Sequence, residues 1–296
     1  MKLLLFDDYK LGVLKGDHVV DVSSAAPSVS LADASLRAEA MMEALIGGFS
    51  GYRGQIDAIA AREAGVPLAQ VKICPPLPRP HGILCAFSNY QDREQANRMP
   101  LDFFHKNATA VAPSGSTVVI PNIPEASVYQ PEPEIAYLSG KTASKVSEAE
   151  ALSYVFGYCN FIDVSARGVP NRHTPFLTKA LDQWAPLGPV IVTADEVPDP
   201  QNLRVRLWLN GEQKQDYNTS SMSYSIAAQI AWLSQYITLK PGDVISCGTH
   251  HVGLSPINDG DRVEMEVEGM ERLQFAVKSY APRSSGNWRP PGVRDH

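Results

Sequence analysis

Two short acidic patterns are the places in this sequence where residue type and spacing first point to chemistry. Glu132-Pro133-Glu134 and Glu264-Met265-Glu266, the latter extended by Glu268, repeat a carboxylate at every second position. Side chains on a β-strand alternate between faces, so such a pair puts both carboxylates on one face about 7 Å apart, whereas on a helix they would diverge. With a third carboxylate they offer the hard oxygen ligands that Mg²⁺, Mn²⁺ and Ca²⁺ take. The surroundings separate the two patterns. Glu264 and Glu266 alternate with Val263, Met265 and Val267, as in an antiparallel strand with one wet face. Glu132 and Glu134 run directly into Ile135-Ala136-Tyr137-Leu138, a continuous apolar run expected to be buried on both faces. Carboxylates taken there repel and lose hydration unless a cation compensates. From the residues alone, Glu132 and Glu134 are either a metal site or the solvated start of a strand.

The elements that must position these residues read as strand-rich. Lys2 to Phe6, Leu11 to Leu14 and His18 to Val22 form a three-stranded meander. Two helices follow, Leu31 to Ile46 stopping at Gly47-Gly48 and Ile56 to Ala64 stopping at Gly65. Cys74-Pro75-Pro76-Leu77-Pro78-Arg79-Pro80 admits neither helix nor central strand and marks a boundary between a domain over residues 1–75 and one over 76–282. Ser147 and Glu150 form a capping box that opens a helix through about Phe156, closed near Gly157. Ser225 to Tyr236 is an amphipathic helix. Val190–Val192, Arg204–Leu209, Val244–Ser246, Val263–Val267 and Leu273–Ser279 are strands, not regularly interleaved with helices, so the class is α+β rather than Rossmann or TIM-type. Residues 283–296 are a loose tail.

Composition excludes several functions. A chain of 296 residues with 44% hydrophobic and 20% charged residues folds without staples. Its 26 Lys+Arg against 32 Asp+Glu give no basic excess, which argues against a nucleic-acid or anionic-membrane partner. The apolar start Leu3-Leu4-Leu5-Phe6 ends at Asp7-Asp8, too short for a signal peptide. Cys74, Cys85, Cys159 and Cys247 make no metal or redox pair, and the expected location is cytoplasmic. The 23 prolines favour turns and edge strands.

The run from Tyr129 to Lys141, then Gly157-Tyr158-Cys159-Asn160-Phe161-Ile162-Asp163-Val164-Ser165-Ala166-Arg167, resembles the fumarylacetoacetate hydrolase family. Lys179-Ala180-Leu181-Asp182, Pro186-Leu187-Gly188-Pro189, Asn210-Gly211, Leu239 to Thr249 and Asp259-Gly260-Asp261 follow in the family's order, so the resemblance spans Ile83 to Tyr280. It implies a β-roll catalytic domain behind a small N-terminal domain, usually in a homodimer. It also implies a divalent cation, Mg²⁺ before Mn²⁺ or Ca²⁺, held by Glu132, Glu134 and Asp163. Lys179 matches the active-site lysine, and Gly248-Thr249 the substrate-contacting turn.

One motif departs. Hydrolytic members carry Asn-Tyr, then His three positions on and Glu three beyond that, a pair held to activate water. Here Asn89-Tyr90-Gln91-Asp92-Arg93-Glu94-Gln95-Ala96 puts arginine and alanine at those places, and arginine is no base near neutral pH. His250 and His251, directly after Thr249, are the replacement candidates, with Asp92, Glu94 and His105 behind them; His173 reads as a loop residue. Tyr90 and Arg93 are expected to bind an anionic small-molecule substrate, together with Gly248 and Thr249. The expected activity is cleavage of a C–C bond in a 2-oxo or 1,3-dicarbonyl acid. Hydratase, isomerase or decarboxylase chemistry through the same enolate is the alternative, and a non-catalytic ligand-binding homologue the non-enzyme one.

Overall fold

The computed structural model describes residues 1–92, 98–170, 175–284 and 286. Glu94, Arg93, Ala96 and His173, with most of the C-terminal tail, lie outside them. The chain opens with the meander: β1 (Lys2–Phe6), β2 (Lys10–Lys15) and β3 (His18–Asp21) pair antiparallel in sequence. Helix α1 (Ala34–Gly47) starts where the Asp33 carboxylate accepts from the Leu36 amide at 2.9 Å, satisfying a free first-turn donor. Helix α2 (Phe49–Arg62) starts seven residues before the expected Ile56. Its first two turns lack apolar periodicity and are held by single contacts: Phe49 meets Phe156 edge-on at 5.0 Å, and Arg53 pairs with Asp195 at 2.8 Å. Short strands β4 (Val66–Pro67) and β5 (Ile73–Cys74) lead into the proline segment.

Strands β6 (Ile83–Ala86), β7 (Phe103–His105), β8 (Val111–Ala112) and β9 (Ser116–Ile120) precede the long β10 (Val128–Ser139). Helix α3 (Glu148–Ala151) ends well before the expected Phe156. Ser147 Oγ bonds the Glu150 carboxylate at 2.6 Å and caps no amide. After a single 3₁₀ turn the chain enters β11 (Val155–Arg167). Gly157 is thus no helix stop: a Cβ there would lie 2.5 Å from the Val192 carbonyl, and the missing side chain lets two strand backbones approach. Helix α4 (Phe176–Lys179) and strands β12 (Ala185–Thr193), β13 (Arg204–Leu209) and β14 (Glu212–Asn218) follow. Helix α5 (Ile226–Tyr236) lies within the expected Ser225 to Tyr236 and is capped by Ser225, and β15 (Val244–Ser246), β16 (Arg262–Val267) and β17 (Leu273–Ser279) complete the fold.

A large sheet runs β4-β3-β2-β1-β12-β11-β10-β15-β6-β7, and a five-stranded sheet runs β14-β13-β16-β17-β9. The class is α+β. The meander joins the large sheet through β1 on β12, with Lys2 opposite Val192. Strands β10 and β11 pack against β13 and β16, enclosing Ile135, Tyr137, Ile162, Val164, Leu207 and Met265. Below the other face, Met42, Leu45 and Ile46 of α1 join Leu3, Leu5, Ala136 and Leu138 in a second core. The central strands are thus covered on both sides, and every residue of β10 is buried. Among the described residues no helix is long and apolar enough to cross a membrane.

Candidate active site

Strands β10 and β11 put three carboxylates on one face. Asp163 lies directly opposite Glu132 in the antiparallel register, and Glu134 lies two residues along on the same side. All three are at most 3% exposed, and one oxygen from each lies within 4.8 Å of the others. Two prolines flank Glu132 in the middle of a sheet, where proline is rare. The ladder geometry explains them. The odd-numbered residues of β10 turn their main-chain polar groups away from β11: the Ile135 carbonyl accepts from Cys247 N, and the Pro133 carbonyl accepts from Thr249 Oγ1 at 2.9 Å and Tyr217 Oη at 2.5 Å. On that side β15 pairs only with Ala136 to Leu138, so Pro131 and Pro133 cost no bond to β15.

Cations surround the carboxylates. Lys179, from α4, donates to Glu132 Oε2 and, at 2.6 Å, to Asp163 Oδ2. Lys106 pairs with Asp163 Oδ1 at 2.7 Å, and Arg167 pairs with Glu132 Oε1. Ser165 Oγ adds a bond to Glu132 at 2.9 Å. Glu134 accepts from Ser246 Oγ and, at 2.9 Å, from the Gly248 amide. Gly248 has φ +83°, a conformation that side chains disfavour, and this aims its N–H at the carboxylate. Burial raises Glu132, but Arg167 and Lys179 outweigh it and hold the carboxyl well below the usual range. Burial pulls Lys179 down, and Asp163 and Glu132 more than restore it. Among the described residues no cation pairs with Glu134: burial, with the charges of Asp163 and Glu132, pushes it up to about 8. Three hard oxygen donors, one starved of positive charge, fit a divalent cation.

The structure separates the two histidines. His251 Nδ1 and its main-chain amide both bond Asp92 Oδ2, at 2.7 and 2.6 Å, and its Nε2 lies 3.7 Å from Glu132 Oε1. Burial raises Asp92, but the His251 hydrogen bond and charge outweigh it and hold the carboxyl below its ordinary value. The His250 ring instead stacks on Tyr217 at 5.7 Å and meets Tyr90 edge-on at 6.3 Å. Tyr90 is buried behind it, and Asn89 ties the neighbouring turn by donating to the Cys247 carbonyl at 2.9 Å. His105 is exposed on β7 and is not brought to the carboxylates. Glu264 and Glu266 lie on the half-exposed face of β16, paired with Arg262, Arg206 and Arg272, as their alternation predicts.

Sequence reasoning missed Lys106, Arg167 and Ser246 as site residues. Arg167 was legible, since positions 163, 165 and 167 share a strand face. No local signal marks Lys106 or Ser246.

A family model for the fumarylacetoacetate (FAA) hydrolase C-terminal region matches residues 82–278. The chain belongs to the fumarylacetoacetate hydrolase family. Within it, the chain is 30% identical to maleylpyruvate hydrolase of Aquipseudomonas alcaligenes over 94% of its own length and 100% of that protein's. It is 32% identical to the mitochondrial oxaloacetate tautomerase Fahd2a of Rattus norvegicus, over 86% and 82% of the two chains. A crystal structure of maleylpyruvate hydrolase from Sphingobium sp. SYK-6, in complex with manganese (II) ion and pyruvate, superposes with a TM-score of 0.83 at 34% identity, covering 94% of this chain and 99% of that one. The family β-roll expected from the motifs is the fold observed.

Proposed function

We propose that this family member is a divalent-metal-dependent hydrolase that cleaves the C–C bond of an acylpyruvate, a 2,4-dioxo acid of the maleylpyruvate type. The observation that carries the reading is the buried carboxylate face of Glu132, Glu134 and Asp163, with the Asp92–His251 pair turned toward it. Those three residues would hold the cation, Mg²⁺ by preference. When bound it supplies a Lewis acid for the 2-oxo group.

The chain's own residues supply the rest. Lys179 and Arg167 bind the anionic oxygens of substrate, with Arg93, Tyr90 and the Gly248-Thr249 turn as further contacts. His251 Nε2 takes a proton from water as the water oxygen bonds to the distal carbonyl carbon, while Asp92 holds Nδ1 protonated and the ring in line. The C–C bond then breaks. Its electron pair becomes the enolate of pyruvate, and His251 returns the proton to that carbon. His250, stacked on Tyr217, shapes the wall.

A second reading is favoured by Arg93 and Ala96, which replace the water-activating His and Glu of hydrolytic members, and by the tautomerase relative. A single base such as His251 suffices to move a proton between carbon and oxygen. The two readings part on one assay. Maleylpyruvate and, in parallel, oxaloacetate are supplied in ¹⁸O-water with Mg²⁺; cleaved acids are weighed by mass spectrometry and the keto–enol change is followed by ultraviolet absorbance. Incorporated label with release of pyruvate supports the hydrolase; turnover of oxaloacetate between keto and enol forms, without label in any cleaved acid, supports the tautomerase. A homodimer in the cytoplasm is also proposed, supported by family habit and by the aromatic stack of Phe103, Trp232 and Tyr236, the last 72% exposed.

A further inference from the structure

Lys106 follows β7, and its side chain is wholly buried, at 0% exposure. An ammonium group so far from water needs oxygens around it, and Lys106 has three. They are the main-chain carbonyls of Lys179 and Trp184, the second at 3.0 Å, and Asp163 Oδ1 at 2.7 Å. The adjoining residues repeat the tie. Asn107 Nδ2 donates to the Ala180 carbonyl at 3.2 Å, and the Gln183 amide donates to the Thr109 carbonyl at 3.1 Å. Segments 106–109 and 179–184 are thus zipped together, with Lys106 at the end nearest the carboxylates. Its own amide donates to the Ile83 carbonyl at 3.0 Å, fixing it to β6.

The two lysines on Asp163 therefore differ. Lys179 stands on a four-residue helix, and its ammonium meets the two carboxylates a cation would use. It can yield them. Lys106 is enclosed, and Asp163 Oδ1 has no other partner among the described residues. A carboxylate binds a divalent ion through one oxygen or two, and every protein oxygen on a near-octahedral ion takes a place from substrate. A chelating 2-oxo acid takes two places, one for its carboxylate and one for its oxo group, and a water beside it takes a third, which a second oxygen from Asp163 would close.

We propose that Lys106 is a positioning residue that keeps Asp163 Oδ1 away from the cation, so that Asp163 offers a single oxygen and both oxygens of a chelating 2-oxo acid find room beside a water. The inference rests on the reading of Glu132, Glu134 and Asp163 as the ligands.

Its signature is a pair of opposite changes. In Lys106→Met and Lys106→Gln, loss of a nearby positive charge and a second oxygen from Asp163 both favour the ion. Mn²⁺, titrated by the EPR signal of the free ion, is expected to bind about tenfold tighter. Pyruvate, titrated into the Mn²⁺-loaded full chain, is expected to bind about tenfold weaker. A lysine that only holds the fold together would weaken both. Lys106→Gln keeps N–H donors for the two carbonyls and carries the test if the methionine variant does not fold. Weakened Mn²⁺ binding, or unchanged binding of both ligands, in a glutamine variant that melts like the wild type overturns the role of Lys106 alone. Absence of Mn²⁺ binding by the wild type overturns the ligand reading and this inference with it.

Discussion

Replacing Glu39 by glutamine should change how stability depends on pH. Glu39 is on α1, only 4% exposed, with Oε2 accepting from the Arg79 amide at 2.7 Å and Oε1 without a partner among the described residues. Burial, with smaller contributions from Glu43 and Asp243, pushes its carboxyl from 4.5 up to about 8. Between those values the folded chain keeps a proton that the unfolded chain has released, so stability falls as pH rises across this window. Each pH unit of that window removes about 1.4 kcal/mol, which over the whole shift comes to about 4–5 kcal/mol as an upper figure. Glutamine is neutral throughout and keeps an acceptor for Arg79. Urea unfolding of wild type and Glu39→Gln should therefore give similar stabilities near about pH 5 and a variant more stable by roughly 3–5 kcal/mol near about pH 8.5. Asp243, also raised by burial, contributes to the slope of both proteins. Parallel curves for the two proteins would refute the reasoning, because a carboxylate ionised in both states leaves no difference to remove.

The other expected outcomes concern the site. Glu134→Ala should abolish measurable Mn²⁺ binding by calorimetry while the melting temperature holds or rises, since a buried carboxylate without a cation is lost; unchanged affinity would show that the wrong glutamate was assigned. Asp92→Asn should lower kcat by roughly 100-fold or more with KM within a few-fold, because His251 loses its orienting partner and not its substrate contact; an equal change in KM alone would contradict this. Gly248→Ala forces a side chain into φ +83° with the Ala86 carbonyl 3.3 Å from the new Cβ. It should cost about 1–3 kcal/mol and weaken metal binding through the lost amide bond to Glu134, both readable by melting and Mn²⁺ titration.

The acidic cradle was half legible before any fold was known. Period-two spacing put Glu132 and Glu134 on one face, and the apolar run behind them left that face either a buried metal site or a solvated strand start, which the tertiary structure decided. The same period, applied to Asp163, Ser165 and Arg167, carries a ligand, a hydroxyl and a counter-charge, because one strand's alternation is a local property. The partner relations were not local. Which residue of β11 stands opposite Glu132 depends on the register of two strands about thirty residues apart. Two histidines adjacent in sequence receive opposite surroundings, and nothing in His250-His251 says which will meet Asp92, 159 positions away.

Local signals also failed where two elements compete. Glycine ends helices and also admits close strands, and at Gly157 the sheet prevailed, because β10 and β12 flank Val155–Arg167 on both sides and satisfy its main-chain groups. The first turns of α2 lack periodicity and are anchored from afar, Phe49 by Phe156 of β11 and Arg53 by Asp195 in the turn after β12. By itself, then, the sequence determined strand alternation, the lack of an overall basic excess and the ordered motifs of the family. Only the tertiary structure decided which charges answer the carboxylates, since a buried ion pair is set by where two chain segments cross. Lys106 is the clearest case: its meaning lies wholly in three oxygens from residues 163, 179 and 184.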